Sequence, residues 1–238
     1  MIRRVMTIAL AGLLAACGAN GGEGDGADTP AAREVSAQAG ADAGEQAVSG
    51  EEVVILAFGD SLFAGYGLQD SEGYPEQLQA TLRGQGINAR VIDAGVSGDT
   101  TGAGAQRIAF VLDNQPAKPN LALVGLGGND LLRGLPVDGA RTNLEKILLE
   151  LQDRGIPVLL FGMRAPPNAG PDYVEAFDGL YPQLAEKYGA ALIPFWLEPV
   201  YDQPQLMQAD RIHPTARGIE ALVAYTEDDV REALPAAD

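Results

Sequence analysis

The chain has 238 residues, with 33 acidic side chains against 16 basic ones and a formal charge of −17. Nothing in that balance neutralises phosphates, which excludes a nucleic-acid partner, and the acidity reports solubility. With 6% aromatic residues, 30 glycines and 15 prolines, the composition suits an α/β domain with many turns and argues against a coiled coil or a wholly disordered chain.

The first 17 residues form a unit of their own. Arg3 and Arg4 precede an apolar run from Val5 to Leu14, and Leu14, Ala15, Ala16 and Cys17 follow. A positive start, a short apolar core and small residues before a cleavage point describe an export signal, and the run is too short for a comfortable membrane span. The last four residues resemble the bacterial lipobox. By that resemblance Cys17, the only cysteine, becomes the mature N-terminus and carries lipid. The plainer alternative is an ordinary cleaved signal with an incidental cysteine. Several acyl chains on one residue anchor stably where one does not. Gly18 in place of Asp resembles lipoproteins of the Gram-negative outer membrane. The expectation is therefore an exported protein, lipid-anchored in the bacterial cell envelope on the periplasmic side, meeting the membrane only through its N-terminal lipid.

Residues 18–52 are roughly half Gly and Ala and carry almost no large apolar side chain. Such a stretch cannot bury enough surface to offset its ordering entropy and reads as a disordered tether. A chain of this length has a mean reach of about 30–35 Å.

Residues 53–238 have the size of one domain. Near-continuous apolar runs at 53–58, 89–94, 121–126, 157–162 and 191–195 predict strands covered on both faces. Between them, 74–85, 101–112, 140–154 and 173–188 carry apolar residues at three- and four-residue intervals, and 215–234 closes the chain as a final helix. Strict alternation implies a three-layer α/β/α fold around a parallel sheet. Binding chemistry in such sheets gathers at the carboxyl ends of the strands. Ser61 follows the first strand, Gly98 the second and Asn129 the third, while Asp210 and His213 lie just before the last helix, so all of them fall on one rim.

His213 is the only histidine, and any acid–base chemistry near neutral pH falls to it. A serine hydroxyl is a poor nucleophile without a base in hydrogen-bond reach, which assigns Ser61 as nucleophile, His213 as base and Asp210 as the orienting carboxylate. Two residues between Asp210 and His213 leave room for a tight loop that folds the carboxylate onto the ring. Attack on an acyl carbon puts charge on oxygen, and the candidate donors are the Ser61 and Gly98 N–H groups and the Asn129 amide. Each has a plainer reading: Gly98 as a turn glycine, Asn129 as a loop cap, and Ser61 as a helix N-cap, a geometry expected in either case.

Taken together, GDSL at 59–62, SGDTT at 97–101, GGND at 127–130 and DRIH at 210–213 resemble the signature blocks of the GDSL or SGNH hydrolase family. The stretches GDSLFAGYGL, LVGLGGNDLLRGL, NAGPDYVEAF and IPFWLEPVY look like its bacterial acyl-CoA thioesterase, lysophospholipase and arylesterase branch. The resemblance implies a flavodoxin-like five-stranded sheet of order 2-1-3-4-5, the triad Ser61, Asp210 and His213, an oxyanion hole of Ser61, Gly98 and Asn129, and no metal or cofactor. It departs in one respect: members of this branch are commonly soluble exported enzymes, whereas the lipobox suggests an anchored form.

The expected function is a serine ester hydrolase acting on short to medium acyl esters, aryl esters, acyl thioesters or lysophospholipids through an acyl-enzyme. Its partner is a small acyl-ester substrate, and a monomer is expected. Leu62, Leu131, Leu132, Leu135, Pro136 and the loop from Met163 to Tyr173 are the candidates for an acyl pocket, with ordinary loop packing as the alternative. Two other functions compete. A carbohydrate deacetylase could use the same frame, although few aromatics sit near the rim to stack on sugars. A non-catalytic flavin- or nucleotide-binding module could use the helix N-termini, but no G-x-G-x-x-G or Walker A pattern follows a predicted strand.

Overall fold

The apolar runs become strands because each buries side chains on both faces of one sheet. The computed structural model describes residues 48–236, so the signal segment and lipidation at Cys17, with most of the tether, lie outside the described residues. The strands are β1 (Val53–Gly59), β2 (Ala89–Gly95), β3 (Leu121–Gly125), β4 (Val158–Phe161) and β5 (Ala191–Ile193). All pairs are parallel and the order is β2-β1-β3-β4-β5. At the carboxyl end Gly59 of β1 stands level with Gly95 of β2 and Gly125 of β3. At the other end the last tether residues are held by the edge strand: Arg90 pairs with Glu52 at 2.9 Å and Asn88 Nδ2 donates to the Gly50 carbonyl.

Alternate residues of each strand serve different faces. Ile55 and Ala57 join Leu121 and Leu123 on the side covered by α1 (Tyr74–Gly84) and α7 (Ala216–Ala233), while Leu56 and Phe58 join Ala122 and Val124 under α2 (Thr101–Asp113) and α4 (Val137–Asp153). β1 and β3 are buried nearly throughout. The edges β2 and β5 are only partly covered, and Asp93 of β2 is exposed, so the expectation of strands covered on both faces fails at the two edges, where one neighbour is missing.

The single helix expected over 173–188 is two, α5 (Pro171–Asp178) and α6 (Leu180–Tyr188). Pro182 supplies no N–H to the Asp178 carbonyl one turn earlier, and Gly179 takes up the break. A short helix not read from the sequence, α3 (Gly128–Leu132), carries Asn129. No helix among the described residues is long and apolar enough to cross a membrane.

Candidate active site

Beyond Gly59 the chain winds tightly over the strand ends. Asp60 Oδ1 accepts from Leu62 N at 3.1 Å, Ala64 N donates to the Asp60 carbonyl at 3.0 Å, and Tyr66 N donates to the Ser61 carbonyl at 3.1 Å. No helix follows, because Gly65 and Gly67 hold positive φ and unwind the turn. Ser61 therefore caps no helix, contrary to the expectation. Beneath it Phe63 is buried among Tyr74, Phe161 and Trp196, with ring centroids 5.3–5.4 Å away, which clamps the turn to the core. Gly95 permits the close approach, since a Cβ there would stand 2.5 Å from Ala64 N.

The histidine arrives on a closed loop. Met207 and Pro214 form an antiparallel bridge, Gln208 N donates to the His213 carbonyl at 2.7 Å, and the Gln208 side chain reaches the carbonyls of Tyr66 and Pro214. Arg211 at the tip has φ of 58°, the only non-glycine residue in the left-handed region among those described. That conformation folds the Asp210 carboxylate back. Its Oδ1 accepts from Ile212 N and His213 N at 2.9 and 3.1 Å, and its Oδ2 lies 2.7 Å from His213 Nδ1. These bonds, the one to the imidazole foremost, hold the carboxyl down at about 2, so Asp210 is a carboxylate throughout the neutral range. With its proton on Nδ1, His213 turns Nε2 toward Ser61 Oγ at 2.9 Å as an acceptor. The Tyr66 ring lies against the imidazole at 4.4 Å between centroids.

The other side of the cleft holds the candidate donors. Gly98 has φ of 86°, a conformation that suits glycine, and its carbonyl accepts from Arg133 Nη2 at 2.7 Å, which fixes the plane of the adjoining peptide. Asn129 Nδ2 donates to Asp60 Oδ2 at 3.1 Å and to the Asp99 carbonyl at 3.0 Å. Its neighbour Asp130 is buried and accepts from both Thr101 N and Thr101 Oγ1, which ties α3 to the start of α2.

Ser61 and His213 open into a cavity of about 430 Å³, within the range for small-ligand sites. Leu62, Leu131, Leu132 and Met163 line it as expected, together with Leu197, Tyr201, Met207 and Ile212, which arrive from the segments after β5. Leu135 and Pro136 do not. They lie past α3 on the exposed approach to α4, where the Leu135 carbonyl accepts from Tyr173 Oη. Of the 163–173 loop only Met163 touches the cavity. The rim also carries two exposed tyrosines, Tyr66 and Tyr201, so the expectation of few aromatics there is corrected. No cluster of three or more His, Cys, Asp or Glu side chains able to hold a metal occurs among the described residues.

The family model for the GDSL-like lipase/acylhydrolase family matches residues 57–221. The esterase TesA of Pseudomonas aeruginosa is 41% identical over 160 residues, which span 67% of this chain and 79% of that protein. The chain belongs to the GDSL-like lipase/acylhydrolase family. The thioesterase 1/protease 1/lysophospholipase L1 of Escherichia coli is 39% identical over 160 residues, 67% of this chain and 74% of that one. The crystal structure of AlinE4, a SGNH-hydrolase family esterase, is 65% identical and covers 79% of this chain and 100% of its own, with a TM-score of 0.67. This GDSL-family chain is accordingly an α/β carboxylic ester hydrolase.

One site group has a consequence for stability. Burial pushes the Asp60 carboxyl up to about 6 from 3.8, against the pull of the Leu62 N–H and the Asn129 amide. The folded hydrolase holds this proton more tightly than the unfolded chain, so the stabilisation is complete below about 3.8 and is lost as pH rises through 6. The loss amounts to about 3 kcal/mol. In denaturant unfolding across this window, wild-type stability is expected to fall relative to that of Asp60→Asn as pH rises. Parallel curves would remove Asp60 as the cause.

Proposed function

We propose that the enzyme hydrolyses short- to medium-chain acyl esters through an acyl-enzyme on Ser61. The observation that carries this reading is the unbroken relay from Asp210 to His213 to Ser61, at 2.7 and 2.9 Å, opening on an apolar cavity. Ser61 Oγ attacks the acyl carbon while its proton passes to His213 Nε2, and Asp210 stabilises the imidazolium. Negative charge on the former carbonyl oxygen meets the N–H groups of Ser61 and Gly98, joined by the Asn129 amide as one of its two N–H groups turns from Asp60 Oδ2 or the Asp99 carbonyl. Collapse expels the alcohol or thiol with the proton from Nε2. Water, deprotonated by the same nitrogen, then attacks the acyl carbon, and collapse breaks the bond to Ser61 and releases the carboxylic acid while Nε2 returns the proton to Ser61 Oγ.

The cavity walls support acyl groups longer than acetyl, because Leu131, Leu132 and Met163 offer apolar surface to a longer chain. The test is a rate profile of the full chain on p-nitrophenyl esters from acetate to palmitate, beside acyl thioesters of the same lengths and acetyl xylan. Highest kcat/KM between butyrate and octanoate is expected. A maximum at palmitate, or acetyl xylan as the best substrate, would overturn the acyl-length assignment in opposite directions.

A further inference from the structure

We propose that Arg107 and Asp99 act as a pair of positioning residues that set the geometry of the oxyanion donors. The inference rests on the acyl-transfer reading of the site. Arg107 lies on α2, outside the cavity lining, yet its guanidinium meets the backbone that carries the donors at two points. Nε donates to Asp99 Oδ2 at 2.6 Å and Nη2 donates to the Gly59 carbonyl at 2.9 Å. Gly59 ends β1, two residues before Ser61. Asp99 directly follows Gly98, and its carbonyl accepts from Asn129 Nδ2 at 3.0 Å. One rigid, planar side chain thus joins the segment bearing the Ser61 N–H to the loop bearing the Gly98 N–H, and through that loop it reaches the Asn129 amide.

The surroundings suit a strut. The pair is mostly buried, with side-chain exposures of 19% for Arg107 and 13% for Asp99, and the guanidinium stacks 4.1 Å over the Phe58 ring. Two constrained acceptors and a stacking surface leave the guanidinium little freedom, and the donors inherit that rigidity. Misplacement of reacting or stabilising groups by about 1 Å costs roughly 100-fold in rate. A merely structural ion pair would move stability and leave the tetrahedral state as well held as before.

The experiment measures kcat, KM and thermal unfolding on p-nitrophenyl butyrate for Arg107→Met, Arg107→Lys and Asp99→Asn, with inhibition by butylboronic acid as the specific readout. The boronate adds to Ser61 Oγ to form a tetrahedral anion whose oxygen occupies the donor pocket. Arg107→Met is expected to lower kcat about 10- to 100-fold with KM within about twofold, and to weaken boronate inhibition by a similar factor. Arg107→Lys, which keeps the charge but spans only one of the two acceptors, should fall between. Should Arg107→Met not fold, Asp99→Asn carries the same comparison because it keeps the side-chain shape. Folded variants that bind boronate as wild type does, or that raise KM alone, overturn the positioning role. Ser61→Ala serves as the separate control: turnover and boronate binding that survive it would overturn the site reading itself, whatever Arg107 does.

Discussion

Ser61→Ala is expected to lower kcat on an aryl ester by about a million-fold while leaving KM and folding nearly unchanged. In the proposed reaction the hydroxyl supplies the atom that forms the covalent bond, and its only side-chain partner among the described hydrogen bonds is His213 Nε2. Its loss strands no buried polar group in the core, and the turn around it is held by backbone bonds and by Phe63 in the aromatic cluster. What remains is catalysis by the donors and by binding alone. Because nucleophile and base act as one unit, the double variant Ser61→Ala/His213→Ala should be no slower than either single one. Initial rates over a wide range of enzyme concentration, with a melting curve for each variant, check both statements. A folded Ser61→Ala enzyme within tenfold of wild type would remove Ser61 as nucleophile.

Asp210→Asn is expected to cost about 10³- to 10⁴-fold in kcat. The amide can keep an oxygen toward Ile212 N and His213 N, so the loop should hold its shape. Its NH2 would then face His213 Nδ1 and favour the tautomer with the proton on Nε2, which cannot accept from Ser61. The Asp210 side chain is 36% exposed, so water can in part replace it, and this argues for the lower end of the range. Bonding to the imidazole and to two backbone N–H groups holds the carboxyl at about 2, so wild type keeps its carboxylate across the neutral range. Steady-state kcat at one neutral pH, with a melting curve for the variant, checks the expected loss: a folded Asp210→Asn enzyme within tenfold of wild type would remove Asp210 as the orienting carboxylate.

The acyl-ester chemistry, the strand positions and the rim were readable because they depend on local pattern. Apolar runs of strand length alternate with helical spacing, and the chemistry-bearing residues sit where strands end. A unique histidine left one candidate for the base. Reading failed where contacts are set by distant segments. The break within 173–188 is by contrast local: Pro182 stands inside the helical period, and its missing N–H divides the helix. Leu135 and Pro136 follow a block that does enter the cavity, but α3 ends at Leu132 and the chain leaves the rim before reaching them. Leu197, Tyr201 and Met207 could not be placed at the mouth because their segments have no period of their own.

The roles of Asp60, Arg107 and Gln208 belong to the same class. Each works through a partner on another element: Asp60 and Asn129, Arg107 and the Gly59 carbonyl, Gln208 and the Tyr66 carbonyl. The amino-acid sequence alone determined the order of elements, their parallel sheet and the residues proposed for the relay, because hydrophobic periodicity and side-chain chemistry act over a few residues, while the strand order followed from the resemblance to a known family. Tertiary structure alone decided which walls the acyl cavity has, how far the Asp60 carboxyl is pushed up and what holds the donors still, because burial and hydrogen-bond reach depend on separations in space that sequence spacing does not encode.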